Sequence, residues 1–155
     1  MTVMIGDAKR MIIVTDSQVS DEDSNSKNLN VDKVFEIPEG YIGGAGDWSS
    51  IQKVVEWYKN GKKDKDKPDI HADNDADFMV LNEDGIFISD KSLEFYKIDK
   101  QDGIGCGQNI ALGAIRLGHT VEDAVWAACQ VDLYSGGDIK VYSLNKKPTI
   151  YHKKS

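Results

Sequence analysis

An α+β fold, with helices packed on antiparallel sheet, is what this sequence predicts. Three observations carry it. Short β-branched runs separated by turn residues stand at both ends of the chain, two adjoining helical periodicities follow Gln108, and no regular alternation of strand and helix would build a parallel sheet.

Taken in order, Val3 to Ile5 and Met11 to Thr15 read as a hairpin turning at Gly6-Asp7, a pair suited to positive φ. Ser17 to Asn28 is almost wholly polar and reads as a loop before a β region at Val31 to Ile37. Pro38-Glu39-Gly40 turns the chain into Tyr41-Ile42 and the glycine-rich Gly43-Gly44-Ala45-Gly46. Asp47 is placed to cap a helix whose Ile51, Val54, Val55 and Tyr58 fall at i, i+3, i+4 and i+7, with Asn60-Gly61 as its stop. Lys62 to Asp75 mixes charges with Pro68 and reads as a solvated loop.

Phe78 to Leu81, Gly85 to Ile88 and Leu93 to Ile98 read as strands, the first two joined through Asn82-Glu83-Asp84-Gly85. Gly103 to Gly107 is a second glycine-rich bend. A helix from Gln108 to Leu117 stops at Gly118; Thr120 with Asp123 resembles a capping box opening another helix, with Val121, Ala124, Val125 and Ala128 on one side and Ser135-Gly136-Gly137 at its end. Ile139 to Leu144 and Thr149 to Tyr151 close the chain as strands.

At 155 residues with 40% apolar content, the chain has the size of one domain, over residues 1–155, with a core that needs neither disulfide nor metal. A formal charge of −7 argues against a nucleic-acid backbone or an anionic membrane as partner. No apolar run approaches the roughly 18 residues of a membrane span, and Met1 to Asp16 lacks the pattern of a signal peptide, so a cytoplasmic protein is expected. Cys106 and Cys129 form no spaced cluster, and His71, His119 and His152 lack metal-ligand spacing. Neither metal nor cofactor is expected.

Singly, each candidate for chemistry has a plain structural explanation. Thr2 is a second residue, Asp16 a strand end, Lys33 a surface cation, Gly43-Gly44 a turn, and Asp132 with Ser135-Gly136-Gly137 a helix C-terminus. Gly105-Cys106-Gly107 is no dinucleotide loop, since Ile110 stands where a third glycine is needed.

Together and in order, five blocks resemble proteasome β subunits and the related bacterial HslV-type peptidase, which are N-terminal-nucleophile (Ntn) hydrolases. They are Ile12-Ile13-Val14-Thr15-Asp16-Ser17, Asn30-Val31-Asp32-Lys33-Val34-Phe35-Glu36-Ile37, Ile42-Gly43-Gly44-Ala45-Gly46-Asp47, Ile104-Gly105-Cys106-Gly107 and Asp132-Leu133-Tyr134-Ser135-Gly136-Gly137. The resemblance implies a four-layer αββα sandwich, two antiparallel sheets between pairs of helices.

It also implies a threonine-type peptidase. A threonine hydroxyl needs a base, and a free α-amine with a reference pKa of about 7.7 to 8.0 supplies one on the same residue. The nucleophile must therefore come first in the chain, as Thr2 does once Met1 is removed. By the same resemblance Lys33 is the cation that stabilises an alkoxide-like Oγ1, Asp16 the carboxylate that aims it, and the Gly43 N–H, beside Gly44, the oxyanion donor. Asp132 and Ser135 are the pair that orients the amine. The implied partners are a peptide or unfolded protein substrate, other copies of the chain in a homo-oligomeric ring, and an ATP-dependent unfoldase.

Three departures bear on the transfer. Cys106 stands where the family has a serine, and a thiol is the weaker hydrogen-bond partner. The opening hairpin is short, and strand alternation makes Thr2 and Met1 exclusive occupants of the nucleophile's position, with Thr2 preferred. The first helix pair is reduced, because charges and Pro68 leave no amphipathic pattern between Lys62 and Ala76. Two other readings stand beside the peptidase: a catalytically silent assembly or binding relative, and an Ntn amidohydrolase acting on a small amide.

Overall fold

The computed structural model describes residues 2–21, 26–28 and 30–154. Met1 and residues 22–25, on which the expected N-terminal processing and part of the expected loop fall, lie outside the described residues. In chain order the elements are β1 (Met4–Asp7), β2 (Ile12–Thr15), β3 (Val19–Asp21), β4 (Ser26–Asn28), β5 (Val34–Ile37), β6 (Gly40–Gly46) and α1 (Trp48–Lys59). A 3-10 turn (Asp64–Asp66) leads to β7 (Ala76–Asn82), β8 (Gly85–Ser89), β9 (Tyr96–Lys97), β10 (Gln101–Ile104), α2 (Gln108–Arg116), α3 (Val121–Val131), β11 (Ile139–Ser143) and β12 (Thr149–Tyr151).

One antiparallel sheet runs β10-β1-β2-β11-β12 and another β5-β6-β7-β8-β9. Strand alternation explains how they stack. In the first sheet Val3, Ile5, Ile12 and Val14 face away from the second, packing with Ala111 of α2 and with Val121, Ala124, Val125 and Ala128 of α3. The intervening Met4 and Ile13 face the other way and meet Met79, Leu81 and Ile86 between the sheets. On the far side of the second sheet Ile42, Phe78 and Val80 bury against Ile51, Val54, Val55 and Tyr58 of α1. The layers are therefore two helices, two sheets and a single helix. The first helix pair is reduced as expected, because between α1 and β7 the chain offers only the 3-10 turn, which buries no side chain.

The caps follow the sequence. Asp47 Oδ2 accepts from Ser50 N at 2.9 Å at the start of α1, and Thr120 Oγ1 accepts from Asp123 N at 3.1 Å at the start of α3. The Asp123 carboxylate itself takes the Tyr151 hydroxyl and lies 3.7 Å from Lys153 Nζ.

Five local expectations are corrected. Gly6-Asp7 is strand, not turn: β1 continues through Asp7, and a Cβ on Gly6 would come within 2.9 Å of Ile86 Cγ2 and Met79 Sδ, so the glycine serves close approach of the sheets. The chain reverses at residues 8–11 instead, where Asp7 Oδ1 accepts from Lys9 N and Arg10 N at 3.0 and 3.2 Å and Met11 takes φ of 54°. The polar Ser17 to Asn28 stretch contains a small antiparallel pair, β3 with β4, whose backbone pairing needs no apolar face. The strand expected from Leu93 shrinks to β9, since Leu93 has φ of 59° and closes a turn with its N–H on the Asp90 carbonyl at 3.1 Å. Gly103 lies in β10 rather than in the bend, and α3 ends at Val131, ahead of Ser135, with Asp132 as its C-cap.

Candidate active site

The chain start is held by the strand end that follows β2. Val3 O accepts from Thr15 Oγ1 at 3.0 Å and from Asp16 N at 3.3 Å, extending the β1–β2 ladder by one residue. Alternation then puts Thr2 on the face of Met4, toward the gap between the sheets. Thr2 is 4% exposed, and its hydroxyl has no hydrogen-bond partner among the described residues.

Asp16 collects donors from three separate stretches of chain. Its Oδ1 accepts from Lys33 Nζ at 2.9 Å and from Val3 N at 3.2 Å, and its Oδ2 accepts from Gly136 N at 3.0 Å. Both charged side chains are buried, at 0% and 3% exposure. Burial raises the Asp16 carboxyl from its ordinary value, against the pull of Lys33 and the two N–H groups. It lowers the Lys33 ammonium, against the pull of Asp16. A buried pair of this kind is worth its desolvation only with further hydrogen bonds, and Asp16 has them.

Lys33 is also tied to the glycines of β6, since Gly44 N donates to Lys33 O at 3.3 Å and Gly43 faces Val34 in the β5–β6 ladder. A Cβ on Gly43 would stand 2.5 Å from Met4 Sδ, so that α-carbon faces the inter-sheet gap two residues from Thr2 along β1.

Asp132 and Ser135 are brought together as expected: Ser135 Oγ donates to Asp132 Oδ2 at 2.6 Å. Cys106 joins them, its Sγ lying 2.9 Å from the same oxygen and 3.6 Å from Thr2 O. The thiol is therefore a protonated donor. Burial first, then Asp132, raises it from its ordinary value. Burial works against the Asp132 carboxylate, but hydrogen bonds from Cys106, Ser135 and Tyr134 N leave it below the usual range. Cys129 is pushed up to about 12 by burial, so it is an inert thiol.

Several groups that build this site had no role assigned to them from the sequence, although Gly105, Gly107 and Ser17 lie in the family blocks. Gly105 has φ of 93°, and a Cβ there would lie 2.1 Å from Thr2 O; Gly107 N donates to that same oxygen at 3.2 Å. Residues 132–138 are locked to the end of β2 by Ser17 Oγ on Asp138 O at 2.7 Å, Ser17 N on Gly136 O at 3.0 Å and Gln18 Nε2 on Leu133 O at 3.0 Å. The motif block through Ser17 pointed to the first of these. Nothing in the sequence pointed to Gln18.

Thr2 opens on a cavity of about 220 Å³ bordered by Ala45, Asp75, Asp77, Cys106 and Gln108. A larger hollow of about 480 Å³, bordered by Glu36, Glu39, Tyr41, Glu83 and Lys146, contains none of the residues singled out in the sequence. Thr2 brings a hydroxyl to this cavity, and the Val3 N–H on Asp16 Oδ1 ties the same stretch of chain to the buried Lys33–Asp16 pair. A hydroxyl facing such a space, with an ion pair anchored to its strand, suits nucleophilic acyl transfer.

No protein-family model matches the chain, and no curated protein matches it by sequence. Solved structures do match. HslV from the eukaryote Trypanosoma brucei superposes with a TM-score of 0.64 at 18% identity, over 90% of this chain and 98% of that one. BPH from Thiobacillus denitrificans, in complex with epoxomicin, superposes with a TM-score of 0.68 at 16% identity, over 92% of this chain and 97% of that one. The two-sheet sandwich foreseen from the five sequence blocks, that of the HslV and proteasome type of Ntn hydrolases, is the fold this chain adopts.

Proposed function

We propose that the chain is a threonine-type peptidase with Thr2, freed by removal of Met1, as its nucleophile. The observation that carries this reading is the buried Thr2 side chain, whose unpartnered hydroxyl borders a cavity while the next residue's N–H shares the Asp16 oxygen that holds Lys33. In the reaction Thr2 Oγ1 attacks the peptide carbonyl carbon and its proton passes to the Thr2 α-amine, directly or through a water. The tetrahedral oxygen is stabilised by the Gly43 N–H, and the Lys33 ammonium lowers the cost of negative charge on Oγ1. The C–N bond then breaks, the amine proton leaves with the new amino terminus, and water hydrolyses the Thr2 ester to restore the hydroxyl. Asp132 and Ser135 orient the amine, with the Cys106 thiol on the same carboxylate.

The likeness to HslV supports a wider reading: a domain over residues 1–155 that acts on peptides or unfolded proteins, in a homo-oligomeric ring served by an ATP-dependent unfoldase, in the cytoplasm. No helix among the described residues is long and apolar enough to cross a membrane.

Hydrolysis of a fluorogenic peptide by the intact chain and its Thr2→Ala and Lys33→Ala variants tests the assignment. Both substitutions abolish turnover while circular dichroism stays that of the parent. Full activity in either variant rejects it.

A further inference from the structure

The cavity beside Thr2 carries a charge pattern that the assigned chemistry does not use. Ala45 and Asp77 are cross-strand partners on β6 and β7, and Ala45 packs with Met79 between the sheets. Since Met79 is two residues beyond Asp77, alternation places Asp77 on that same inner face, across the gap from Thr2. Thr2 and Asp77 both border the opening.

The Asp77 side chain has no hydrogen bond or ion pair among the described residues, and its carboxyl is raised by burial, then by repulsion from Asp90 and Asp75. Asp75 borders the same cavity, with Lys91 Nζ at 3.9 Å as its nearest cation. Lys91 also donates to the Ala72 and Asn74 carbonyls at 2.7 and 3.2 Å, which keeps it outside the cavity. No Lys, Arg or His is among the described residues that border the space; Asp75 is exposed and paired with Lys91, so the negative charge facing the cavity is chiefly that of Asp77. Its volume of about 220 Å³ falls below the roughly 300–1,000 Å³ of small-molecule sites and suits one long side chain.

We infer that this cavity is a subsite for a basic side chain, lysine or arginine, of the peptide that Thr2 attacks, with Asp77 as the residue that sets the preference. The inference rests on the peptidase reading. A cationic side chain entering beside Thr2 gains a countercharge that is only partly solvated, whereas a glutamate meets like charge and a leucine leaves Asp77 desolvated without a partner.

The test uses the intact chain with Met1 removed and a matched series of peptide epoxyketones ending in arginine, leucine or glutamate, with the rate of Thr2 modification read by mass spectrometry. The arginine compound reacts about tenfold faster than the leucine one and faster still than the glutamate one. Asp77→Asn lowers the arginine-to-leucine ratio about tenfold, and Asp77→Lys turns the preference toward glutamate. Thermal unfolding of both variants separates these effects from misfolding, and the arginine preference of the unaltered chain shrinks as ionic strength rises.

Equal or faster reaction of the leucine or glutamate compound overturns the subsite while leaving the nucleophile standing. So does an arginine preference unmoved by both Asp77→Asn and salt. Failure of every compound to modify Thr2 overturns the peptidase reading, and the subsite falls with it.

Discussion

Asp16 and Lys33 stand 2.9 Å apart as a buried ion pair, and the same Asp16 oxygen holds the backbone N–H of Val3. The ammonium that would stabilise a reacting oxygen is thereby fixed to the chain segment that delivers Thr2.

Breaking that pair from one side leaves a buried charge without its partner. Asp16→Asn is expected to lower stability by about 3–5 kcal/mol, and the double variant Asp16→Asn with Lys33→Met to recover part of the loss because both charges are then gone. Denaturant unfolding of the three proteins checks this. A double variant no more stable than Asp16→Asn contradicts it.

Gly105 makes a second, independent point about Thr2. With φ of 93° and Thr2 O only 2.1 Å from an added Cβ, Gly105→Ala strains its own backbone and pushes on the main chain of Thr2. Loss of at least about 1 kcal/mol is expected from the backbone strain, with a fall in peptide hydrolysis larger than the loss of folded protein. Melting curves and specific activity, measured on the same samples, read both.

Asp132 links the site to acid sensitivity. Its folded carboxyl lies below the unfolded value, held there by Cys106 and Ser135 against the cost of burial. The associated stability is therefore present above the unfolded pKa of about 3.9 and is lost as pH falls through the folded one. Because the group is largely solvated the effect is small, and salt reduces it. Asp132→Asn is expected to unfold more easily than the parent at neutral pH, with the gap closing in acid. A gap that stays constant down the pH series contradicts the assignment of those hydrogen bonds.

Much of this was legible before any coordinates. The i, i+3, i+4, i+7 spacing of Ile51, Val54, Val55 and Tyr58 and the Thr120 cap led to α1 and α3, because both signals are local. Asp132 and Ser135 were paired by the family resemblance, and their three-residue spacing at a helix end is compatible with the hydrogen bond between them. The Gly6-Asp7 turn failed because glycine has two uses: turn geometry is local, while the close approach of Ile86 and Met79 comes from another sheet. The β3–β4 pair was hidden because Val19-Ser20-Asp21 and Ser26-Lys27-Asn28 offer no apolar alternation to read. Gln18 on Leu133 O, and Asp77 across from Thr2, depend on segments more than 70 residues apart coming together. Only the assembled sandwich does that.

The most direct measurement of the central claim is mass mapping of the full chain after exposure to epoxomicin, the compound bound in the BPH structure. If Thr2 is the nucleophile, Met1 is missing from the intact mass, one inhibitor is added per chain, and the modified peptide begins at Thr2. Retention of Met1 with no adduct on Thr2 contradicts the mechanism.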